Sequence, residues 1–128
     1  MILLDTHVLV WLYEDPRRLI PAPVRQWLEE ESLALSPFVR LELEYLSEVG
    51  KLSVPPQTIV DELAPKLELV LTDPPTALIC QAALGLSWTR DPFDRLLSAH
   101  ALATGTPLVT KDRTIREHLA LARWPGSS

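Results

Sequence analysis

Ile2-Leu3-Leu4-Asp5-Thr6-His7-Val8-Leu9-Val10-Trp11-Leu12-Tyr13-Glu14-Asp15-Pro16 opens the chain and sets its plan. Ile2 to Leu4 is a short apolar run of the kind that forms a strand buried on both faces. An acid and a hydroxyl follow at once, the residue types that cap helices, and Thr6 to Tyr13 is apolar with helical character. Glu14-Asp15-Pro16 stops the helix, because a proline pushes the residue before it out of helical geometry. A strand that runs straight into a helix is the first half of a β-α-β unit, and the alternation recurs downstream.

Pro23 opens a helix through Glu31, and Leu33-Ala34-Leu35 is a second strand, closed by Ser36. Ser36 caps a helix with Pro37 at its first position, and Gly50 ends it after Val49. Pro55-Pro56 starts another helix, interrupted at Pro65. Leu67 to Leu71 reads as a third strand. Asp73-Pro74-Pro75 opens a helix that ends near Gly85. Asp91-Pro92-Phe93-Asp94-Arg95-Leu96-Leu97 starts the next, which ends at Gly105. Asp91 reads as its N-cap, and Asp94 stands in the first turn, where an acid can reach back to a free backbone donor. Pro107 to Thr110 is a fourth strand, followed by Lys111-Asp112. A last short helix covers about 115 to 120, and the tail from Trp124 reads as frayed. Nothing resembles a tight hairpin between strands, so the pattern predicts right-handed crossovers and a parallel sheet with helices on both faces.

The 128 residues suit one domain, 1–128, and allow a sizeable core. Twelve basic residues against 17 acidic ones give a net charge of −5. A protein living by non-specific phosphate binding is usually basic, so a nucleic-acid role here has to rest on local charge or on metal ions. Cys80 is the single cysteine, which excludes an internal disulfide; it lies in an apolar helical run and is expected in the core. The N-terminus lacks the basic region of a signal peptide, and no apolar run approaches the ~20 residues of a membrane span. The expectation is a soluble, cytoplasmic protein with no membrane partner.

Ligands of open parallel sheets bind beyond the carboxyl ends of the strands. Asp5 follows the first strand and Asp112 the fourth, while Asp91 and Asp94 open a helix near that edge. On a helical wheel at about 100° per residue, Phe38, Leu41, Tyr45, Leu46 and Val49 form one apolar face with Glu42 near its middle. Glu44 and Glu48 fall on the opposite side. A carboxylate in a buried stripe is costly unless paired, protonated or bound to a cation. His7, His100 and His118 are scattered, which argues against zinc, and oxygen ligands suit Mg²⁺ or Mn²⁺. Arg90, Arg95, Lys111, Arg113 and Arg116 gather near the acids, where they could hold phosphates. His100 shares its helix with Phe93, Leu96 and Leu97 and reads as a packed core histidine. Trp11, Trp27 and Trp88 stand among apolar neighbours and read as core.

Four landmarks coincide: Leu3-Leu4-Asp5-Thr6; Ser36 to Glu42 leading on to Gly50-Lys51-Leu52; Arg90-Asp91-Pro92-Phe93-Asp94-Arg95-Leu96-Leu97; and Leu108-Val109-Thr110-Lys111-Asp112. Over nearly its whole length the chain resembles the PIN-domain family, and within it the VapC-type toxins of bacterial toxin–antitoxin pairs. The resemblance implies an α/β fold, a three-layer α/β/α domain around a central, mainly parallel sheet of four to five strands. It implies a metal-dependent endoribonuclease with an acidic quartet, matched here to Asp5, Glu42, Asp94 and Asp112, holding Mg²⁺ or Mn²⁺. Asp94 is preferred to Asp91 because it directly precedes the Arg-Leu-Leu helix. Ser98 and Thr110 are candidates to orient ligands. A further acid usual after Asp112 is lacking. The expected partners are an RNA substrate, a cognate antitoxin and a second copy of the chain. Two other readings compete: a PIN-like RNA-binding module without cleavage, and a phosphoryl-transfer protein using Asp5, for which His7 stands where a second Asp is wanted.

Overall fold

The computed structural model describes residues 1–126. The elements follow in the order β1 (Ile2–Leu4), α1 (Thr6–Glu14), α2 (Pro16–Leu19), α3 (Ala22–Glu30), β2 (Leu33–Leu35), α4 (Pro37–Glu48) and α5 (Pro56–Leu67). They continue with β3 (Val70–Leu71), α6 (Thr76–Ala83), α7 (Pro92–Thr104), β4 (Leu108–Val109), α8 (Arg113–His118) and β5 (Ala122–Arg123). All five strands are parallel, in the order β3-β2-β1-β4-β5. Every residue of β1, β2 and β4 is buried, so both faces of the sheet centre are covered by helices, which is why these strands read as unbroken apolar runs. The main core joins these strands to Val8, Leu9, Val24, Leu43, Ile59, Leu97 and Ile115 from the helices.

The strand order reverses between β1 and β4. The chain winds outward from β1 through β2 to β3, then returns to the other side of β1. The crevice beyond the carboxyl ends of β1 and β4 is therefore the topological switch point, the usual ligand position in such sheets. Leu4 pairs with Val109, and the Asp5 amide donates to the Val109 carbonyl at 3.0 Å. The ladder thus carries one residue past β1, straight to Asp5.

Several local expectations need correction. Pro65 does not interrupt α5 but sits in its last turn, where losing one amide donor is tolerable. The chain leaves that helix through Glu68 in the left-handed region, at φ 51°, so the third strand shrinks to Val70–Leu71. The Asp15-Pro16 break is followed by a short helix, α2, with Asp15 as its cap. Cys80 is exposed rather than in the core, because α6 buries the Ile79 and Ala83 side. The last helix begins at Arg113, two residues early, because Asp112 caps it. Trp124 is half-buried against Trp11 rather than frayed, and β5 precedes it. The tail's last two residues, 127 and 128, lie outside the described part. No helix among the described residues is long and apolar enough to cross a membrane.

The wheel for α4 also needs correction. Its buried residues are Val39, Glu42, Leu43 and Leu46, while Leu41, Tyr45 and Val49 are exposed. Glu42 is buried as expected, but at the border between the buried stripe and an exposed apolar one.

Candidate active site

Asp5 leaves β1 and caps α1, with the Thr6 amide donating to Oδ1 at 2.7 Å. Its other oxygen, Oδ2, accepts from the Thr110 hydroxyl at 2.5 Å, across the β1–β4 boundary. Thr110 in turn accepts from the Asp112 amide at 3.0 Å, and Asp112 Oδ1 takes the Ile115 amide at 2.9 Å, capping α8. The Thr6 hydroxyl donates to Glu42 Oε1. Two fully buried threonines thus orient the two most buried acids; Thr6, Thr110, Asp5 and Glu42 are 0%, 0%, 5% and 9% exposed. Thr110, a candidate to orient ligands, holds the Asp5 carboxylate. Thr6 read only as a possible cap, and its hydroxyl in a strand-end Asp-Thr pair was the missed signal. Ser98 is fully buried, but its hydroxyl has no partner among the described residues.

On α7 the two acids divide their work. Asp91 is the N-cap, accepting from the amides of Phe93 at 2.9 Å and Asp94 at 3.0 Å. That leaves the Asp94 carboxyl uncommitted to any hydrogen bond among the described residues. Asp5, Glu42, Asp91, Asp94 and Asp112 line one open cleft of about 340 Å³, together with His7, Trp11 and Lys111. No ion pair among the described residues reaches any of these acids.

The electrostatic cost is visible in their proton affinities. Burial raises the Asp5 carboxyl above its ordinary value, against the pull of the Thr110 hydroxyl, the charge of His7 and the Thr6 amide, and Asp112 adds repulsion. Burial raises Glu42 as well, offset by the Thr6 hydroxyl and reinforced by Asp5 and Asp91. Asp94 is pushed up to about 7, first by burial and then by the charges of Asp91, Asp5, Asp112 and Glu42. These acids feel one another; His7 offsets part of the charge on Asp5 and Glu42, but no salt bridge among the described residues reaches the cluster.

Among the described residues, no group of three or more His, Cys, Asp or Glu side chains stands close enough together to hold a metal ion as the side chains lie. The donor set nevertheless fits a hard divalent cation. It is all oxygen, comes from separate elements and borders open solvent, as suits Mg²⁺ or Mn²⁺ retaining several waters. The threonine donors are the kind of outer support that aims ligating carboxylates.

Of the five cations expected to hold phosphate, only Lys111 lines the cleft. Arg95 is instead structural, donating to the Ala83 and Leu84 carbonyls at 2.7 and 3.2 Å and so closing the end of α6. Arg90 bonds the Ser87 carbonyl at 2.8 Å, Arg113 pairs with Glu117 at 2.9 Å, and Arg116 reaches the Lys111 carbonyl at 3.2 Å. His100 is a buried, packed residue as expected. Its Nδ1 lies 2.9 Å from the Ser36 hydroxyl, and burial lowers its proton affinity. Trp27 and Trp88 are half-buried against the core; Trp88 also stacks on His118 at 4.9 Å. Asp5 is poorly placed as a phosphoryl acceptor, since it is almost fully buried and each oxygen already holds a donor.

The PIN domain family profile matches residues 2–118. Ribonuclease VapC22 of Mycobacterium tuberculosis (strain ATCC 25618 / H37Rv) is 35% identical over 119 residues, which is 91% of either chain. In fold, the chain is similar to one from the crystal structure of Rickettsia felis VapBC2 bound to a promoter DNA fragment. The TM-score is 0.70 at 20% identity, covering 95% of this chain and 96% of that one. A chain of DNA-bound VapBC from Salmonella typhimurium matches with a TM-score of 0.65 at 22% identity, covering 96% of both. With its sheet order, its acid-lined switch point and a profile match over 2–118, the chain belongs to the PIN domain family.

Proposed function

We propose that the protein is a divalent-metal-dependent endoribonuclease acting as the toxin of a toxin–antitoxin pair. The observation that carries this reading is the cleft at the β1–β4 switch, where five carboxylates converge without an ion-paired cation among the described residues. Such a cluster is costly in the free protein and is offset when a cation binds. The name of the M. tuberculosis relative supports ribonuclease chemistry, and the VapBC assemblies among the fold neighbours support an antitoxin partner.

In this reading Asp5, Glu42, Asp94 and Asp112 hold Mg²⁺ or Mn²⁺, with Asp91 one turn away as helix cap. The bound ion supplies an activated water and charge that stabilises the cleaved phosphodiester. The chain's own part is positioning. Thr110 holds Asp5, Thr6 holds Glu42, and the capping of α8 holds Asp112. Asp94 keeps both carboxyl oxygens available. Lys111 at the rim offers a positive charge to the RNA backbone, and Arg90, Arg113 and Arg116 stand further out as supporting contacts. A homodimer is also part of the proposal. Leu41, Tyr45 and Val49 leave an exposed apolar strip on α4, and Phe93 extends it, 5.5 Å from the Tyr45 ring. A second copy of the chain could cover that strip.

The test is cleavage of single-stranded RNA by the purified protein. Cleavage is expected with Mg²⁺ or Mn²⁺ and is expected to stop with EDTA or in Asp5→Asn. Cleavage that survives both would sink the metal-nuclease reading, and RNA binding without cleavage in any metal would favour a binding module.

A further inference from the structure

Trp11 reads as a core residue in the sequence, yet it lines the acidic cleft. It lies one helical turn beyond His7 on α1, so the two rings share a face; their centroids are 6.3 Å apart. Trp124, the residue after β5, meets Trp11 edge-on with ring centroids 6.3 Å apart. The Lys111 ammonium lies over the Trp11 ring, 5.7 Å from its centroid. One wall of the cleft is therefore aromatic and cationic, while the rest is carboxylate.

This asymmetry matters because the protein is anionic, with a net charge of −5. A nucleic acid gains little here from the counterion release that drives binding to basic proteins. Lys111 is the one lysine or arginine lining the cleft among the described residues, so an uncharged contact has to add to the charged ones, and an aromatic face beside a phosphate site offers it. We propose that Trp11, with Lys111 over it and Trp124 edge-on to it, forms a nucleotide subsite that stacks one unpaired base next to the scissile phosphate. The proposal rests on the ribonuclease reading above and deepens it. The Lys111 ammonium moves from the ring face to the neighbouring phosphate as the base takes its place. Stacking requires a base free of its pair, so the subsite selects single-stranded RNA over duplex. Every base has a stacking face, so it imposes strandedness and leaves sequence choice to other contacts.

The test compares a 12-nucleotide adenylate RNA with a 12-unit abasic ribose-phosphate strand, each carrying a dye. Binding is read by fluorescence anisotropy in Mg²⁺, with and without Trp11→Leu in an Asp94→Asn background that spares the RNA. KM for cleavage is read in parallel without the Asp94 change. Stacking of one base is worth about five- to a hundredfold in affinity. Trp11→Leu should weaken adenylate binding, or raise its KM, by about tenfold, and leave the abasic strand within about twofold. Trp11→Phe should recover part of the loss. Equal weakening of both strands would reduce Trp11 to a packing residue, and no weakening of either would remove it from the site. If the unaltered protein neither binds nor cuts the adenylate strand, the ribonuclease reading itself fails. If it binds and cuts but shows no difference between the strands, only the subsite fails.

Discussion

Asp94→Asn isolates the tension at this site. In the free protein the Asp94 carboxyl rises from an ordinary 3.8 to about 7, mainly through burial and then through four neighbouring acids. The sign follows by linkage. The folded state holds this proton more tightly than the unfolded one, so raising the pH destabilises the fold between about pH 4 and pH 7. Above pH 7 the whole penalty is present; below about pH 4 there is none. At about 1.4 kcal/mol per pH unit, a rise of about 3 units sets a ceiling near 4 kcal/mol. Asp94 borders an open cleft, so solvent and salt reduce this to roughly 1–2 kcal/mol. Asparagine keeps the shape and removes the charge. In urea unfolding with EDTA at pH 8, Asp94→Asn should therefore be more stable than the parent by about 1–2 kcal/mol, the gain shrinking as pH falls toward 4. Adding Mg²⁺ should reverse the ranking, because a ligand that binds only the folded state stabilises by an amount set by its concentration over its Kd. Equal stabilities at pH 8, or a variant that gains as much from Mg²⁺ as the parent, would refute the argument that Asp94 pays a folding penalty for metal binding.

Three further outcomes follow from the same contacts. Thr110→Val removes the donor to Asp5 and the acceptor for the Asp112 amide, and should weaken Mn²⁺ binding by about ten- to a hundredfold in calorimetry; unchanged affinity would show that Thr110 does not orient the ligands. Asp91→Ala removes a helix cap and should cost about 0.5–2 kcal/mol in urea unfolding, with a smaller effect on RNA cleavage than Asp94→Ala; the reverse order would move Asp91 into the ligand set. RNA cleavage at fixed Mg²⁺ should fall as pH drops below about 7, where Asp94 takes up a proton in competition with the ion; a flat profile from pH 5 to 8 would contradict that competition.

Much of this was legible in the sequence. Ile2-Leu3-Leu4 and Leu33-Ala34-Leu35 are strands buried on both faces, which only a parallel sheet between helices allows, and their apolar runs say so. The meeting of Asp5 and Asp112 in one cleft was readable because each stands just past the carboxyl end of a strand. Glu42 was found for a partly wrong reason. The apolar face drawn around it includes Leu41, Tyr45 and Val49, which are exposed, while Val39 and Leu43 turn inward with it. Hydrophobicity alone cannot say which of two apolar stripes meets the core. Trp11 packs against the core as read, but its apolar neighbours in sequence hid that it also shares with His7 a cleft-facing side of α1 that begins two residues past Asp5. Cys80 sits in an apolar run but on the outer side of its helix. The short β5 and the packing of Trp124 depend on long-range contacts that no local pattern announces.

The hydrogen bond between Thr110 and Asp5 closes a loop of 105 positions. The acids that share the cleft come from the first strand end, the middle of the chain and its final fifth. During synthesis β1, α4 and even Asp94 exist before β4 can dock beside β1. Until Leu108 and Val109 enter the sheet, Asp5 has no threonine to aim it and the cleft lacks one wall. A nascent or truncated chain therefore carries most of the acids but no assembled site. If the protein cuts RNA as proposed, chains ending before Thr110 should therefore show no cleavage.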